Sequence, residues 1–449
     1  MRDVISEIEH RLDDASSKGL ATAVSRAIRD GALSPGQRLP PIRELAHQLA
    51  LSPTTVSAAW GLLARAGTIQ TAGRRGTLVA DGNAPREGRY RQVLEHQTSF
   101  AVDLSTGVPD SALLPSLERA LSTLPSVGAP QSYLDEPVLP ELHDVLLQTW
   151  PYDAPALTVV DGAMDALELV IRTSLRFGDR VIVEHPTFPP LLDLLEVAGV
   201  DVVGVSLDAE GLLPDELEHA LATPARALFL QPRAHNPTGI STSRTRMREL
   251  ATLLGPTDTL VVEDDSATQI STADDVSLGE LLPERTVHIR SFSKSYGPDL
   301  RLAAMSGPED VIGAVRHLRQ LGQGWSSRLL QRVLLALLTD EATAAEVAAA
   351  REEYARRRRD FIGLLTEAGL EVGGGDGLNV WVPVHDEAAA LMRLASLGIG
   401  VAPGAPFCVR PTEGGHIRVT VGLITDDLDD IAAQVVAAAR TGGWRGRAR

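Results

Sequence analysis

The first part of the chain carries apolar residues at the spacing that buries one face of a helix. This pattern predicts one helix that ends at Gly31, a second over Ile42–Ala50, and a third that starts just after Ser52. Ser52 is a residue type that caps helices through its side-chain oxygen, and Pro53 suits the first helical position because an N–H there has no intrahelical partner. Three short helices are therefore expected before Gly67.

A short hairpin is predicted to follow these helices. Two stretches, 68–72 and 76–80, have the composition of strands and flank the glycine- and arginine-rich tip 73–76. Beyond the hairpin, residues 81–100 are polar and lack a sustained period, so they are predicted to form a linker. Residues 1–80 are accordingly predicted to form one small module, and residues 101–449 a larger domain.

In the larger domain, short apolar runs alternate with longer amphipathic stretches. This order predicts an α/β domain with a mostly parallel sheet that helices cover on both faces. The candidate strands are 157–161, 179–184, 200–206, 227–232, 259–265 and 286–293. Asn236, Asp264 and Lys294 each follow a candidate strand, and ligands of such sheets bind at the carboxyl ends of the strands. We therefore expect these three residues along one edge.

Charge is distributed unevenly along the chain, which has 449 residues and a formal net charge of −17. Residues 1–80 contain ten Lys and Arg against seven Asp and Glu, a balance of +3, so the remainder carries −20. A small basic module joined to a large acidic body predicts that any nucleic acid binds to the module. Four consecutive arginines, Arg356–Arg359, are expected to spread round the solvated face of a helix.

The chain has no sequence feature of a membrane or secreted protein. No apolar run reaches the about 18 residues that cross a bilayer, and the polar first residues lack the core of a secretory signal. The single cysteine excludes an internal disulfide, which suits a reducing compartment. We therefore expect a cytoplasmic protein without membrane contact, and we predict no metal site.

Lysine is almost absent, since only Lys18 and Lys294 among the 42 basic residues are lysines. Arginine supplies charge, but its guanidinium does not form an imine. The lysine retained in SFSKSYGPDLR (291–301) therefore indicates amine chemistry at Lys294. Pyridoxal phosphate (PLP) is the cofactor that binds a lysine as an imine.

Residues 101–440 resemble the fold-type I aminotransferases in the order and spacing of the motifs DGAMDAL, EHPTFPP, HNPTG, VVEDDS and SFSKSYGPDLR. The resemblance implies an α/β domain with a smaller C-terminal α/β subdomain, and PLP as the cofactor. It implies that Lys294 forms the Schiff base and that Asp264 pairs with the pyridine nitrogen. It also implies that Asn236 holds the phenolic oxygen of PLP and that Phe188 stacks on the ring.

The same resemblance assigns the phosphate of PLP to hydroxyl, backbone N–H and guanidinium groups. These belong to Ser291, Ser293, Ala163, Met164 and Arg301. Tyr133 resembles the tyrosine that reaches the phosphate of the neighbouring subunit, and Arg418 resembles the arginine that grips the α-carboxylate of a substrate. A head-to-tail homodimer with the cofactor at the subunit interface is implied.

The sequence departs from the aminotransferase pattern at two informative positions. Ser266 stands where a tyrosine usually helps to hold the phenolic oxygen, and Leu134 replaces the glycine that usually follows the shared tyrosine. These changes leave the indispensable groups in place. They predict a site that is kept for binding PLP, with little or no turnover.

Residues 31–80 resemble the winged helix-turn-helix of the GntR superfamily without gaps. The resemblance implies double-stranded operator DNA as a partner, with the third helix as recognition helix and the hairpin tip as a wing. The residues that it assigns to DNA are Arg38, Arg43, Ser52, Thr54, Thr55, Arg74 and Arg75. The alternative is a three-helix module for dimerisation or docking.

A GntR-type module joined to an aminotransferase-like domain is the organisation of the MocR subfamily of bacterial regulators. By that resemblance the chain is a PLP-dependent transcriptional regulator that senses PLP or a small amino compound. Three alternatives stay open. They are a working aminotransferase with an accessory module, a sensor of PLP that controls vitamin B6 synthesis, and a structural relative that binds no cofactor.

Overall fold

The structure is a computed structural model, and it describes residues 2–65, 68–71, 76–80, 88–89, 100–122, 124, 132, 135–411 and 414–442. The helices are α1 (Arg2–Glu9), α2 (Ser17–Arg29), α3 (Ile42–Gln48), α4 (Pro53–Arg65), α5 (Leu117–Ser122), α6 (Pro140–Gln148), α7 (Ala163–Ser174), α8 (Pro189–Ala198), α9 (Pro214–Leu221), α10 (Arg244–Leu254), α11 (Ser293–Tyr296), α12 (Glu309–Gln320), α13 (Arg328–Thr339), α14 (Glu341–Glu367), α15 (Glu387–Ser396) and α16 (Leu428–Ala439). The strands are β1 (Ile69–Thr71), β2 (Thr77–Val79), β3 (Val102–Asp103), β4 (Ala156–Val160), β5 (Arg180–His185), β6 (Asp201–Asp208), β7 (Gly211–Leu212), β8 (Ala227–Leu230), β9 (Leu260–Asp265), β10 (Thr286–Ser291), β11 (Ala303–Gly307), β12 (Asn379–Val384), β13 (Ile399–Gly400), β14 (Ala402–Pro403) and β15 (Gly415–Thr420). None of the helices in these ranges is long and apolar enough to span a membrane.

The N-terminal module holds the predicted helices and hairpin, with one addition. α2, α3 and α4 occupy the predicted positions, although α3 ends two residues early, and β1 pairs antiparallel with β2. α4 begins at Pro53, and Ser52 Oγ accepts a hydrogen bond from Thr55 N at 3.0 Å, which is the predicted cap. The addition is α1, whose Ile8 is buried in the apolar core of the module. Eight residues are too few to show a clear helical period, so the sequence did not predict α1.

The large domain is built on one eight-stranded sheet in the order β4–β11–β10–β9–β8–β5–β6–β7. The run from β10 to β6 is parallel, as the alternation of strands and helices predicts. β11 was not predicted, because its sequence AAMSG lacks the β-branched and aromatic residues typical of strands. It pairs antiparallel with both β10 and β4.

Apolar cores cover both faces of this sheet, so the predicted α/β architecture is confirmed. One core packs α7, α8 and α12 against the sheet, and a second packs α9 and α10 on it. Because β5, β8, β9 and β10 are parallel, their carboxyl ends share one edge of the sheet. This edge positions the site described below.

A smaller α/β subdomain follows, with the antiparallel sheet β12–β15–β14 packed on α15, α16 and the second half of α14. The prediction for Arg356–Arg359 in α14 is wrong for two of the four residues, because Arg357 and Arg358 are 6% and 2% exposed. Arg357 forms an ion pair with Asp110 at 2.8 Å, and Arg358 donates to Gly374 O at 3.0 Å. The charge run did not predict this burial, since it depends on what packs against the helix.

Candidate cofactor cavity and nucleic-acid interface

One cavity of about 260 Å³ opens at the carboxyl ends of the parallel strands. It brings together ten residues that the sequence assigns to the cofactor or its substrate: Ala163, Met164, Phe188, Asn236, Asp264, Ser291, Ser293, Lys294, Arg301 and Arg418. Tyr133 lies outside the described residues. Asp264 is the penultimate residue of β9 rather than a residue after the strand, and it still lies at this edge. Motifs spread over more than 250 residues of the chain thus meet in one place.

Lys294 stands where β10 leads into the short helix α11, and it lines the cavity. Its Nζ donates a hydrogen bond to Gly107 O at 2.5 Å. Burial and the nearby Arg418 lower the pKa of Lys294 to about 8, while Asp264 acts in the opposite direction. More of this amine is therefore unprotonated near neutral pH than in an exposed lysine, and the unprotonated amine is the nucleophilic form.

Asp264 and Asp265 are consecutive carboxylates, so they point to opposite faces of β9 and have different surroundings. Burial acts to raise the pKa of Asp265, but its ion pair with Arg233 outweighs burial and lowers that pKa. Asp264 lines the cavity, and its Oδ1 is buried without a hydrogen-bond partner among the described residues. Burial and the charge of Asp265 raise the pKa of Asp264 to about 7. Because a buried oxygen without a donor is unfavourable, this atom marks a place for an N–H group of a ligand.

Another part of the cavity wall is shaped for an anion. α7 begins at Ala163, and Gly162 before it has a φ of +104°, a conformation that favours glycine. The first backbone N–H groups of a helix lack intrahelical acceptors and bind anions. The guanidinium of Arg301 is close by, since a Cβ on Gly162 would lie 3.5 Å from its central carbon. Ser291 and Ser293 add hydroxyl groups to the same cavity.

A chain of hydrogen bonds behind Asn236 was not predicted from the sequence. Asn379 Nδ2 donates to Asn236 Oδ1 at 3.4 Å, and Thr420 Oγ1 donates to Asn379 Oδ1 at 3.1 Å. Gly107 N donates to Thr420 Oγ1 at 3.0 Å, and Gly107 O is the acceptor of Lys294. Asn379 and Thr420 are partners across β12 and β15, so only the strand register brings them together. This chain engages the amide oxygen of Asn236 and leaves its NH₂ group for a ligand.

Arg418 is 3% exposed and lines the cavity beside Asn236. Its Nη1 donates to Asn236 Oδ1 at 3.2 Å, and its Nη2 donates to Ser105 O. The guanidinium lies 5.2 Å above the ring of Phe407, another cavity residue that the sequence did not single out. Protein oxygens and an aromatic face therefore hold this arginine in place.

These groups fit pyridoxal phosphate. PLP needs an amine for its aldehyde, a carboxylate for its ring nitrogen and an anion site for its phosphate. The cavity offers the Lys294 amine, the unpartnered oxygen of Asp264, and the N-terminus of α7 beside Arg301. Within the described ranges, no group of His, Cys, Asp and Glu is arranged to hold a metal ion.

The N-terminal module presents a polar face on α4. Ser52 and Thr54 are exposed at the start of this helix, and Thr55 is half-buried with its Oγ1 2.7 Å from Ser52 Oγ. On the opposite side, Val56 and Trp60 are buried in the core of the module. The outer face is thus available to a partner, while the inner face fixes the helix.

Exposed arginines lie on α3, which contacts α4, and beside the hairpin. Arg38 and Arg43 are exposed, and the guanidinium of Arg38 lies at the hairpin, where a Cβ on Gly76 would be 3.0 Å from its Nε. Arg74 and Arg75, predicted at the hairpin tip, lie outside the described residues. Positive charge beside an exposed polar helix is typical of a nucleic-acid interface.

Comparisons with known proteins match both parts of the chain. The family model "Aminotransferase class I and II" matches residues 101–436, and the model "Bacterial regulatory proteins, gntR family" matches residues 16–79. Among solved structures, a kynurenine aminotransferase of Pyrococcus horikoshii has a TM-score of 0.71 at 22% identity, covering 79% of this chain and 94% of its own. The α-aminoadipate aminotransferase LysN of Thermus thermophilus has a TM-score of 0.69 at 21% identity, covering 79% and 95%. At these identities the two structures establish the fold.

Curated relatives share the whole organisation. The vitamin B6 salvage pathway transcriptional repressor PtsJ of Salmonella typhimurium is 34% identical, over 94% of this chain and 98% of its own. The pyridoxine biosynthesis regulator PdxR of Corynebacterium glutamicum is 27% identical over 85% and 86%, and the regulator TauR of Rhodobacter capsulatus is 27% identical over 86% and 88%. The cofactor is PLP, and the N-terminal module binds DNA. The chain therefore belongs to the MocR-type subfamily of the GntR family, as a PLP-dependent transcriptional regulator.

Proposed function

We propose that PLP is the effector as well as the cofactor of this regulator, and that its occupancy of the Lys294 cavity controls an operator for vitamin B6 supply. The observation that carries the proposal is Asp264 Oδ1, a buried acceptor without a donor in the same cavity as a lysine amine and an anion site. The parts of PLP have matching groups there. The names of PtsJ and PdxR, which refer to vitamin B6 salvage and pyridoxine biosynthesis, also support it.

The proposal gives each cavity residue a role toward PLP, which supplies a reactive aldehyde and an electron-withdrawing ring when it is bound. The amine of Lys294 would hold PLP covalently through its aldehyde carbon, with the aldehyde oxygen leaving as water. Asp264 keeps a proton on the ring nitrogen through a charge-assisted hydrogen bond. Asn236 donates its amide N–H to the phenolic oxygen, and Phe188 covers one face of the ring. The phosphate is held by the backbone and side chains of Ala163, Met164, Ser291, Ser293 and Arg301.

An amino acid effector is the second candidate, and Arg418 favours it because a guanidinium binds a carboxylate through two parallel N–H groups. PLP alone is preferred because Arg418 already donates to Asn236 and Ser105. Ser266 lines the cavity where aminotransferases usually have a tyrosine. We therefore expect turnover to be slow or absent. A transamination rate of about 1–1000 per second would instead identify a working aminotransferase.

The operator is proposed to lie across α4 and the hairpin. Side chains at the start of α4 read base edges, and arginines around them bind phosphates and enter the minor groove. The residues are Ser52, Thr54 and Thr55 on α4 or at its cap, with Arg38 and Arg43. Arg74 and Arg75, which lie outside the described residues, are included on the sequence resemblance alone. Because this DNA lies in the cytoplasm of a bacterium, the proposal places the protein there.

A head-to-tail homodimer is also proposed. The helices α5 and α13 contact each other, and their Leu121 and Leu329 are 53% and 58% exposed. Exposed apolar residues on adjacent helices are typical of a protein–protein interface. In this dimer Tyr133 of one subunit would reach the phosphate site of the other. Sedimentation of the purified protein at micromolar concentration tests the dimer, and a monomer would contradict it.

The proposed function is tested by titrating PLP-depleted protein with DNA from its own promoter region, with and without PLP, at one salt concentration. In the wild type we expect PLP to change the operator dissociation constant by about fivefold or more. Lys294→Ala should abolish this change. Lys294→Arg, which keeps the positive charge but cannot form an imine, should behave like Lys294→Ala. An operator affinity that responds to amino acids and not to PLP would favour the second candidate.

A further inference from the structure

The N-terminal module rests on the large domain at a short loop, residues 176–179, which we name the docking loop. Lys18, near the start of α2, forms an ion pair with Asp179 of this loop, with Nζ 3.0 Å from Oδ1. Phe177 packs against the apolar core of the module. The stem of Lys18 lies over Gly178, where a Cβ would be 3.0–3.2 Å from Cγ, Cδ and Cε of the lysine. The contact therefore combines an ion pair with close apolar packing.

Hydrogen bonds fix the docking loop to the large domain. Arg176 N donates to Asp179 Oδ2 at 2.6 Å, and Gly178 N donates to Gly199 O at 2.9 Å. Asp201 N, at the start of β6, donates to Asp179 O at 2.7 Å. The loop is thus a firm part of the sheet edge, and it offers a defined surface to the module.

Helix α7 connects the docking loop to the cofactor cavity. Its first residues, Ala163 and Met164, line the cavity, and its last residue, Ser174, directly precedes the segment that leads into the loop. The helix spans twelve residues, about 18 Å, and is stiff along its axis because each backbone N–H is bonded one turn back. The helix thus forms a direct structural connection between the cavity and the docking loop.

The contact leaves the DNA-binding face uncovered. Ser52 and Thr54 at the start of α4 and Arg43 on α3 are exposed while Lys18 is bound to Asp179. A docked module is therefore able to bind DNA. The contact holds the module against the large domain and leaves its DNA-binding face free.

We propose that the docking loop is an interaction surface for the N-terminal module of the same chain, and that an anion bound at the start of α7 changes how the module sits on it. This rests on the proposed function, because it needs an effector in the cavity. Lys18 is one of only two lysines in the chain, and its compact ammonium on a flexible stem reaches Asp179 across the glycine. The side chain of Lys18 is 50% exposed, and such ion pairs are weak, so the contact rearranges easily.

The test measures the operator dissociation constant of full-length variants without and with PLP. The ratio of these two constants expresses the effect of PLP on operator binding. Lys18→Glu replaces attraction to Asp179 by repulsion, and Lys18→Arg keeps the attraction. Arg26→Glu is the matched control, since it makes a similar charge change on the same helix, but Arg26 pairs with Asp13 inside the module. The ratio removes the general loss of DNA affinity that any added negative charge causes.

We expect the wild type, Lys18→Arg and Arg26→Glu to have the same ratio of operator dissociation constants without and with PLP. In Lys18→Glu the effect of PLP on operator binding should be weaker by about two- to fivefold, so its ratio should lie closer to one. PLP affinity without DNA should be the same in the wild type, Lys18→Arg and Arg26→Glu. If Lys18→Glu keeps the wild-type ratio, the docking loop does not couple the cofactor cavity to operator binding. This proposal would then be wrong, while the proposed function would stand. A wild-type ratio of one overturns the proposed function and this proposal with it.

Discussion

The cavity around Lys294 and the outer face of α4 are both suited to phosphate-bearing ligands, but their charged side chains differ in solvent exposure. In the cavity, burial moves the pKa of Lys294 to about 8 and that of Asp264 to about 7. On the module, Arg38 and Arg43 are exposed beside a polar helix. Electrostatic interactions are strong where water is excluded and weak where it is not. Single substitutions should therefore have sharp effects in the cavity and graded effects on the DNA face.

The largest effect is expected at Lys294. Lys294→Ala should abolish covalent attachment of PLP, because no other group in the cavity can form the bond. Lys18→Ala, which removes the other lysine of the chain, is the control and should leave attachment unchanged. The measurement is the visible absorbance of bound PLP, followed by borohydride reduction and peptide mapping. A label on Lys18 would contradict the assignment.

The next largest effect separates the two neighbouring carboxylates of β9. Asp264→Asn should weaken PLP binding by about 10- to 100-fold, since a hydrogen bond to a charged group contributes about 1.5–3 kcal/mol. Asp265→Asn is the matched control, because Asp265 is paired with Arg233 on the other face. It should lower the melting temperature and leave the spectrum of bound PLP as it is. Equal losses of PLP affinity in the two variants would show that Asp264 has no special role.

Asp264 also predicts a pH dependence of PLP affinity. Its pKa is raised to about 7, and a cationic ring nitrogen would lower it, so PLP binds to the ionised carboxylate. Below pH of about 7 a proton must leave Asp264 before this pairing forms. Affinity should therefore fall as the pH falls, approaching about tenfold per pH unit. Titration calorimetry at several pH values measures this slope, and Asp264→Asn should flatten it. A PLP affinity that rises as the pH falls would contradict this prediction.

On the DNA face the effects should be smaller and should depend on salt. Arg38→Ala and Arg43→Ala should each reduce the slope of log affinity against log salt by about one unit, with similar losses for all DNA sequences. Thr54→Ala should instead change which sequence is preferred. Arg26→Ala, on the helix that carries Lys18, is the control. Fluorescence anisotropy at several salt concentrations measures these slopes. Unchanged slopes in both arginine variants would show that Arg38 and Arg43 do not contact DNA phosphates.

The smallest effect is expected behind Asn236. Asn379→Ala removes one of the two donors to Asn236 Oδ1, the other being Arg418, and should weaken PLP binding by about two- to tenfold, in line with one neutral hydrogen bond. Thr420→Val breaks the same chain of hydrogen bonds one step farther from the cavity and should have a smaller effect. Equilibrium titration of PLP measures both. A larger loss in Thr420→Val than in Asn379→Ala would contradict this order.

Sequence reasoning placed Asn236, Asp264 and Lys294 at one edge, because the carboxyl ends of parallel strands meet there. The other cavity residues were assigned by the resemblance to aminotransferases. The alternation of side chains along β9 likewise implies that Asp264 and Asp265 face opposite sides, although only the structure shows which one is paired. Asn379 could not be found, because its link to Asn236 depends on the register of β12 with β15. Arg358 was misjudged for a similar reason, since its burial depends on segments distant in sequence, such as that of Thr238, whose backbone oxygen accepts from Arg358 Nη2 at 3.5 Å.

The coupling between cavity and operator is tested most directly by measuring PLP affinity with and without saturating operator DNA, together with operator affinity with and without PLP. Linkage requires the two factors to be equal, and we expect a shared factor of about five or more in the wild type. In Lys294→Ala both factors should be one. A wild-type protein that binds PLP equally well with and without its operator would contradict the coupling, however tightly it binds either ligand.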